Sequence, residues 1–166
     1  FATHSDDALR LLSDATGVEH TALSAIRYQP NRAVLHADTN AMPKRRKVWS
    51  SWCHVENGAG DDAPIELTYW MNSLQPIPHD DPLFVTLNAQ GQIRDELIHD
   101  ETVFRHPVFD RAAVTAQDTV RAIQGQHRTW FCGAWMRHGF HEDGLASAVE
   151  VAQLISAESN MTLAAE

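Results

Sequence analysis

The segment from Arg128 to Gly144 combines residue types that are typical of a binding site for an anionic group. Its sequence is Arg-Thr-Trp-Phe-Cys-Gly-Ala-Trp-Met-Arg-His-Gly-Phe-His-Glu-Asp-Gly, and an apolar run from Leu145 to Ile155 follows. This order predicts a buried strand, a glycine turn and a helix with a polar N-terminus. In many flavin and nucleotide enzymes the backbone N–H groups at such a helix start bind a phosphate or a ring oxygen.

The sequence upstream of this segment lacks the other half of a nucleotide site, because no Gly-x-Gly-x-x-Gly motif precedes Arg128. Gly58 and Gly60 do not supply it, since Asp61, Asp62 and a strand follow them instead of a helix. We therefore expect the chain to carry the closing half of a site whose opening half lies outside these residues.

Two other interpretations of the polar helix start are open. Glu142 and Asp143 could simply cap the helix. His138, His141 and Glu142 could hold a metal ion, but Gly139 separates the two histidines, so we expect them not to share a rigid helix face and expect no metal site. No catalytic acid, base or nucleophile is identified, because the chain has no Gly-x-Ser-x-Gly motif, no nucleophilic Cys/His motif and no close carboxylate pair.

The charge balance argues against binding to nucleic acid. The chain of 166 residues carries 13 basic and 22 acidic side chains and a net charge of −9, whereas nonspecific nucleic-acid affinity comes from clustered Lys and Arg. No apolar run reaches the roughly 18 residues that a membrane span needs, and no secretory signal is recognisable. Cys53 and Cys132 have no metal or redox spacing, so we expect free thiols in a cytoplasmic protein.

Helices toward both ends of the chain are expected to position these residues. Helical spacing of apolar residues predicts helices from Ser5 to Gly17, from Glu19 to Ala25 and from Asp110 to Gln124. A strand from Thr129 to Cys132 and a closing helix over Leu145 to Ile155 are expected to follow. The tail from Ser156 to Glu166 is expected to be frayed.

The middle of the chain is predicted to be rich in β-structure. Expected strands run from Ile26 to Gln29, Arg32 to Ala37, Val48 to Val55, Ile65 to Met71, Leu83 to Asn88 and Ile93 to Phe104, with a turn at Pro30-Asn31 and a hairpin loop from Asn57 to Asp62. In the strand from Ile65, Leu67 and Tyr69 share one face, and Thr68 and Trp70 share the other. Large side chains on both faces indicate a sheet that is covered on both sides or that lines a cavity.

Six longer motifs occur in one order along nearly the whole chain. They are Ala2-Thr-His-Ser-Asp6, Pro30-Asn-Arg-Ala-Val-Leu-His36, Met42-Pro-Lys-Arg-Arg46, Trp49-Ser-Ser-Trp52, Thr68-Tyr-Trp-Met-Asn72 and Gly139-Phe-His-Glu-Asp-Gly-Leu145. In this combination the chain resembles the C-terminal portion of bacterial FAD-dependent oxidoreductases of the amine-oxidase and phytoene-desaturase superfamily, which are NAD/FAD-binding proteins.

The resemblance implies an α+β (α/β) fold, in which a mixed β-sheet substrate domain flanked by helices adjoins the C-terminal strand and helix of an FAD-binding domain. Residues 1–29 would be a strand and helix segment of the FAD-binding domain, and 30–108 the β-rich substrate-binding region. Residues 109–157 would form the helix–strand–helix that closes the FAD-binding domain, with 158–166 as a tail. The N-terminal Rossmann unit would be missing, so we expect weak or no FAD binding and no activity by this chain alone.

The resemblance places the FAD-binding residues at the glycine turn and helix start: Gly133, Gly139, Phe140, His141, Glu142, Asp143 and Gly144. Ala134 departs from the superfamily, which often has an acidic residue directly after the glycine that ends the last strand. The apolar stripe of the closing helix, which includes Val149 and Ala152, would normally pack against the Rossmann sheet and would lose these contacts. We expect exposed apolar surface or a homodimer there, because the missing Rossmann segment would normally cover it.

Trp49, Tyr69, Trp70 and Trp135 are expected to wall a substrate pocket, with core packing as the alternative. The implied reaction transfers a hydride from a C–H or C–N bond of an amine, or of an apolar acyl or polyene substrate, to FAD. The flavin carries this chemistry, so few catalytic side chains are required. The alternative function is a non-catalytic α+β ligand-binding or interaction module without a cofactor.

Overall fold

The computed structural model describes residues 1–55 and 65–164, with side chains up to residue 158. These residues form five α-helices and a five-stranded antiparallel sheet, with 43% helix and 23% strand. The predicted α+β class is therefore confirmed. The predicted hairpin loop from Asn57 to Asp62 lies outside the described residues.

The chain divides into two compact units. Unit 1 comprises residues 1–29 and 106–166, and unit 2 comprises residues 30–105. The helices are α1 (Ser5–Leu11), α2 (Gly17–Ser24), α3 (Met71–Leu74), α4 (Arg111–Ala122) and α5 (His141–Ala164), and the strands are β1 (Arg27–His36), β2 (Trp52–Val55), β3 (Glu66–Trp70), β4 (Phe84–Leu87) and β5 (Ile98–Val108). Short 3₁₀ helices cover Thr39–Ala41, Arg46–Val48, Asp95–Leu97, Gln126–Arg128 and Ala134–Met136.

Side-chain caps fix the starts of two helices in unit 1, α2 and α4. Thr16 and Glu19 form a reciprocal capping box at α2, and the Asp110 carboxylate accepts the N–H of Ala113 at 2.8 Å at the start of α4. The apolar faces of α1, α2 and α4 pack around one core with the 131–136 segment. Its buried members are Ala8, Ala22, Leu23, Ile26, Ala113, Ala116, Val120, Ile123, Phe131, Trp135 and Met136.

The segment from Thr129 to Cys132 is extended but is not a strand of the sheet, so the strand prediction is wrong there. Its backbone pairs with Phe1, whose nitrogen donates to Trp130 O at 2.7 Å and whose carbonyl accepts from Cys132 N at 2.9 Å. This pattern is that of a parallel pair with Phe1 opposite Phe131. On the other edge, the side-chain amide of Gln124 donates to Phe131 O and accepts from Phe131 N.

Unit 2 contains most of the antiparallel sheet, whose strand order is β2-β3-β4-β1-β5. In the β3–β4 register, Leu67 lies opposite Leu87, and Thr68 lies opposite Thr86. The predicted alternation along β3 is confirmed. The distribution of residue types between the two faces is unusual, because Thr68 and Thr86 are fully buried while Leu67 is only half-buried.

Several strand boundaries differ from those predicted. β1 runs without interruption through Pro30-Asn31, where we predicted a turn. The residues before Trp52 form a 3₁₀ helix and bends instead of the start of a strand, and β5 begins only at Ile98. α5 continues to Ala164, so the tail predicted to fray from Ser156 is helical over most of its length.

A row of polar side chains lies on the buried face of the sheet, and its members form hydrogen bonds with one another. Nδ1 of His36 accepts the N–H of Asp38 at 3.1 Å, so the proton of the neutral ring lies on Nε2, which is 2.8 Å from Oγ1 of Thr86. Oγ1 of Thr86 is in turn 2.8 Å from Oγ1 of Thr68. Burial lowers the pKa of His36, which keeps this ring neutral near pH 7.

Asp38 is a deeply buried carboxylate of unit 2, with 1% of its side chain exposed. It accepts hydrogen bonds from the guanidinium of Arg94 at 3.2 Å, from Arg94 N and from Asn40 N. Burial alone would raise the pKa of Asp38, but the bonds from Arg94 and from the backbone of Asn40 outweigh it and lower the pKa to about 2. Asp38 is therefore ionised, and hydrogen bonds from Asn40 and Arg94 hold its carboxylate in place.

Candidate functional site

Gly133 lies where the extended segment meets the closing helix. Its N–H donates to Oγ of Ser147 on α5 at 2.9 Å, and that hydroxyl donates to the carbonyl of Gly144 at 2.8 Å. Its φ of +151° favours glycine, and an added Cβ would lie 2.6 Å from Nε1 of Trp135. Glycine at this position therefore allows the Trp135 ring to approach the backbone.

The start of α5 is capped by Asp143. Its carboxylate, 15% exposed, accepts the N–H groups of Phe140 at 3.0 Å and of His138 at 3.3 Å. The capping interpretation thus holds for this residue. By helix geometry, the N–H groups of His141, Glu142 and Asp143 have no acceptor within the helix, so they can donate to an anionic atom placed beyond its N-terminus.

The remaining predicted cofactor-binding residues surround this helix start. Gly139 has a φ of +95°, and its N–H donates to Ala134 O at 3.1 Å. The side chains of Phe140, His141 and Glu142 are exposed. Gly144 lies in the first turn, where an added Cβ would make ordinary contacts of 3.6–3.9 Å with Ala134. The structure thus brings Gly133 and the 139–144 residues together around one helix terminus.

Asp143 and Glu142 are expected to differ in their effect on stability. Because Asp143 satisfies two backbone donors, Asp143→Ala should lower the free energy of unfolding by about 1 kcal/mol. Glu142→Ala is the matched control, since that side chain is exposed, and it should change stability by less than about 0.5 kcal/mol. Urea denaturation followed by circular dichroism measures both; equal effects would contradict the capping role of Asp143.

The predicted substrate-pocket aromatics lie in different surroundings. Trp49 and Trp70 contact each other edge to face, with ring centroids 5.3 Å apart, and Trp49 also contacts the buried Phe84. Tyr69 follows the sheet alternation onto the opposite face from Trp70 and contacts Trp52. Within unit 2, therefore, Trp49 and Trp70 come together and Tyr69 does not join them.

Trp135, the fourth predicted pocket residue, is a core residue of unit 1. It is 3% exposed, and its Nε1 donates to the carbonyl of Thr3 at 2.9 Å. Its packing in the 131–136 segment accounts for its burial without a ligand. That a substrate lies against any of the four aromatic residues stays a prediction.

Sequence reasoning missed two polar residues that organise these regions. Ser147 connects Gly133 to α5, and Asn72 holds the 78–83 loop through bonds from its amide to Pro78 O and Asp81 O and from Leu83 N to its oxygen. A serine within an apolar helical stripe was the available signal for the first. The second had no local signal, because its partners follow it by up to eleven residues.

The closing helix presents apolar side chains to solvent. Leu145, Val149, Leu154 and Ile155 are 41–59% exposed, and Ala152 is exposed as well. The expected exposure of Val149 and Ala152 is confirmed. In the described part of the chain, no helix has the length and apolar character to cross a membrane.

Metal-ligand side chains converge at one place within residues 1–55 and 65–164, at His4, Asp6 and Asp7. These lie at the start of the short α1, and Asp7 also forms an ion pair with Arg10. His138, His141 and Glu142, the residues of the metal alternative, form no such group in the described ranges. This arrangement gives no support to a metal site at the start of α5.

The chain matches no known protein-family model, and comparison with curated proteins finds no significant match.

Proposed function

We propose that this chain is part of a flavin-dependent, amine-oxidase-like oxidoreductase and supplies the closing half of its FAD site together with substrate-binding structure. When bound, the flavin would accept a hydride from a C–H or C–N bond of an amine or an apolar acyl or polyene substrate. The chain's own residues would bind and orient the cofactor. Gly133, Gly139, Phe140, His141, Glu142, Asp143 and Gly144 are the proposed cofactor-binding residues.

One observation carries this proposal: an extended segment with parallel pairing to Phe1 ends at Gly133, which is bonded to Ser147 in the second turn of the long helix α5, and the next residue, Ala134, lies beside Gly144 in its first turn. The carboxyl end of a parallel strand next to a helix N-terminus is the usual location of a dinucleotide in α/β proteins. The first-turn N–H groups after Phe140 suit a diphosphate or flavin oxygen, and the exposed Glu142 carboxylate suits ribityl hydroxyls. These donors and acceptors fit FAD.

The exposed apolar stripe of α5 supports the second part of the proposal. A helix that closes a Rossmann domain packs one face against the sheet, and Leu145 and Val149 of α5 are 59% and 46% exposed. We propose that a Rossmann-type segment with a Gly-x-Gly-x-x-Gly motif covers this stripe and binds the ADP portion of FAD.

A variant pair tests the cofactor site. The protein used is this chain, either fused to such a Rossmann segment or mixed with it. His141→Glu adds a negative charge where the cofactor's anionic groups would lie, so FAD affinity should fall at least tenfold. Glutamate in the first turn favours the helix itself, so this loss would not come from unfolding. Gln153→Glu adds the same charge three turns farther along α5 and should leave the affinity unchanged.

Flavin absorbance near ~450 nm and FAD titration provide the measurement. The chain alone should bind FAD weakly or not at all, and addition of the Rossmann segment should restore binding. Absence of flavin from the joined protein, with a folded chain confirmed by circular dichroism, would reject the flavin proposal. It would favour the alternative, a ligand-binding or interaction module without a cofactor.

A further inference from the structure

A surface loop of unit 2, residues 44–48, carries a run of basic side chains. Residues 44–47 are Lys-Arg-Arg-Lys and include both lysines of the chain, and Val48 follows them. No acidic residue occurs from 39 to 55, although the whole chain has a net charge of −9. The side chains of all five loop residues are exposed. This basic loop therefore concentrates positive charge on the surface of a chain that is acidic as a whole.

The basic loop is held outward by residues at its two ends. Met42, before the loop, is 5% exposed. Trp49, after the loop, packs its ring edge to face against the buried Phe84, and its Nε1 donates to the carbonyl of Pro43 at 2.6 Å. This hydrogen bond joins the two ends of the loop. Because both ends are anchored in this way, the residues between them present their side chains to solvent.

The four cations of the loop differ in their contacts. The guanidinium of Arg46 donates to the carbonyl of His79 at 2.8 Å and lies over the indole ring that anchors the loop. Within residues 1–55 and 65–164, by contrast, Lys44, Arg45 and Lys47 form no ion pair. Three exposed cations are therefore available to an external anion.

Large apolar side chains adjoin these cations. Val48 is 58% exposed and Trp52 is 53% exposed. Four residues of chain separate them, so their Cα atoms lie at most about 14 Å apart. Trp52 begins the edge strand β2, and its ring contacts Tyr69 edge to face. A basic segment next to exposed aliphatic and indole groups is typical of surfaces that bind at the membrane–water interface.

We propose that the basic loop and Trp52 dock this chain on the surface of an anionic phospholipid bilayer. Lys44, Arg45 and Lys47 would contact the headgroup phosphates. Val48 and the indole of Trp52 would enter the boundary between the headgroups and the acyl chains. Each cation near the bilayer should strengthen binding about fivefold. This inference goes beyond the proposed function, since it requires neither flavin nor substrate.

The negative net charge of the chain does not prevent this docking. The Debye length is about 8 Å at physiological ionic strength, so acidic groups farther from the bilayer are largely screened. Asp80 and Asp81 follow the Arg46 acceptor His79 along the chain, and among the described residues neither pairs with the basic loop. A polyanion such as nucleic acid would use the cations but would gain little from Val48. The apolar side chain therefore distinguishes a bilayer from a polyanion.

The two lysines allow a direct test on the wild-type chain. Lys44 and Lys47 are its only lysines, so acetylation of lysine amines, measured by mass spectrometry of peptides, reports on this surface. The vesicles contain phosphatidylcholine and phosphatidylglycerol, which carry no reactive amine, at roughly 2:1. Acetylation of both lysines should slow about tenfold with these vesicles. It should be unchanged with pure phosphatidylcholine vesicles or with soluble glycerophosphoglycerol. No protection, or equal protection by all three, would overturn the proposal.

Cosedimentation with the same anionic vesicles assigns the charge. Lys44→Gln/Lys47→Gln should weaken binding about 25-fold. Arg10→Gln/Arg111→Gln removes two exposed positive charges of unit 1 and is the matched control, which should bind as the wild type does. Equal affinities of the two double variants, with folding confirmed by circular dichroism, would overturn the proposal.

A second variant pair tests the apolar contribution. Val48→Ser should weaken vesicle binding about fivefold, because this side chain would leave water on docking. Val18→Ser, at a site that is 51% exposed on α2, should have no effect. Single-stranded DNA should bind more weakly than the vesicles. Tighter binding of the DNA, or unchanged vesicle binding by Val48→Ser, would overturn the bilayer proposal. All of these experiments are done without FAD, so their result is separate from the test of the flavin site.

Discussion

Replacement of Asp38 by alanine is expected to lower the free energy of unfolding of unit 2 by about 1–3 kcal/mol, because hydrogen-bond donors lose their acceptor. The substitution removes a buried anion that accepts bonds from the Arg94 guanidinium and from the backbone of Asn40 and Arg94. It leaves these donors without their acceptor and removes the connection between the 3₁₀ helix Thr39–Ala41 and Arg94. Hydrogen exchange measured by mass spectrometry, with peptides from the 38–42 and 88–97 segments, localises the loss.

Two control variants separate charge from shape. Asp38→Asn keeps one carbonyl oxygen as an acceptor and should lose less stability than Asp38→Ala. Asp80→Ala removes a carboxylate that is exposed in the same unit, and it should change stability by less than about 0.5 kcal/mol. An Asp38→Ala protein as stable as Asp80→Ala would show that the buried pair contributes no net stability.

The pH dependence of the wild type follows from the same carboxylate. Its pKa is about 2 in the folded protein against 3.8 for an unperturbed Asp, so the unfolded chain binds more protons between these values. The contribution of Asp38 is therefore complete above pH ~4 and is lost as the pH falls toward ~2, by about 2 kcal/mol in total. In Asp38→Asn this component of the acid destabilisation should disappear.

The starts of α1 and α4 and the strand alternation could be predicted because their signals are local, whereas α2 begins at Gly17, before the predicted Glu19, and α5 begins at His141, before the predicted Leu145. Asp110 caps α4 through a bond to Ala113, three residues away, and β3 alternates faces as any strand must. Which face of β3 is buried could not be predicted. Thr68 can be buried because its hydroxyl is hydrogen-bonded to that of Thr86, which is in turn bonded to His36. These residues lie on other strands, far away in sequence.

The continuity of β1 through Pro30 has a similar explanation. The pairing of β1 with β4 begins only at Ala33, so the missing N–H of Pro30 removes no bond from that ladder. Asn31 is held by the side chain of Asn88, whose Nδ2 donates to its oxygen at 2.8 Å. A local turn signal was thus overridden by long-range pairing.

The two sites differ in how far they could be predicted. The helix start at 139–144 was predictable, since a glycine turn, acidic residues and an apolar stripe are contiguous there. The site of the buried Asp38 was not, because its partner Arg94 lies 56 residues later. The bond between Gly133 and Ser147 also needed the structure.

Gly133→Ala is expected to be the most destabilising single-methyl change in unit 1, at about 2–4 kcal/mol. The φ of +151° is unfavourable for alanine, and the new Cβ would lie 2.6 Å from Nε1 and 2.8 Å from Cδ1 of Trp135. Trp135 cannot move away easily, because it is 3% exposed and its indole N–H is bonded to Thr3 O. Urea denaturation followed by tryptophan fluorescence measures the effect.

Gly144→Ala is the matched control on the other side of the same junction. Its Cβ would meet Ala134 only at ordinary contact distances, and alanine favours a helix over glycine by up to about 1 kcal/mol. Stability should therefore stay equal or rise. If both variants lost stability equally, the close approach of Trp135 to Gly133 would not be the cause. A loss confined to Gly133→Ala would instead place the requirement for glycine at the end of the extended segment, where the proposed cofactor site needs a fixed backbone.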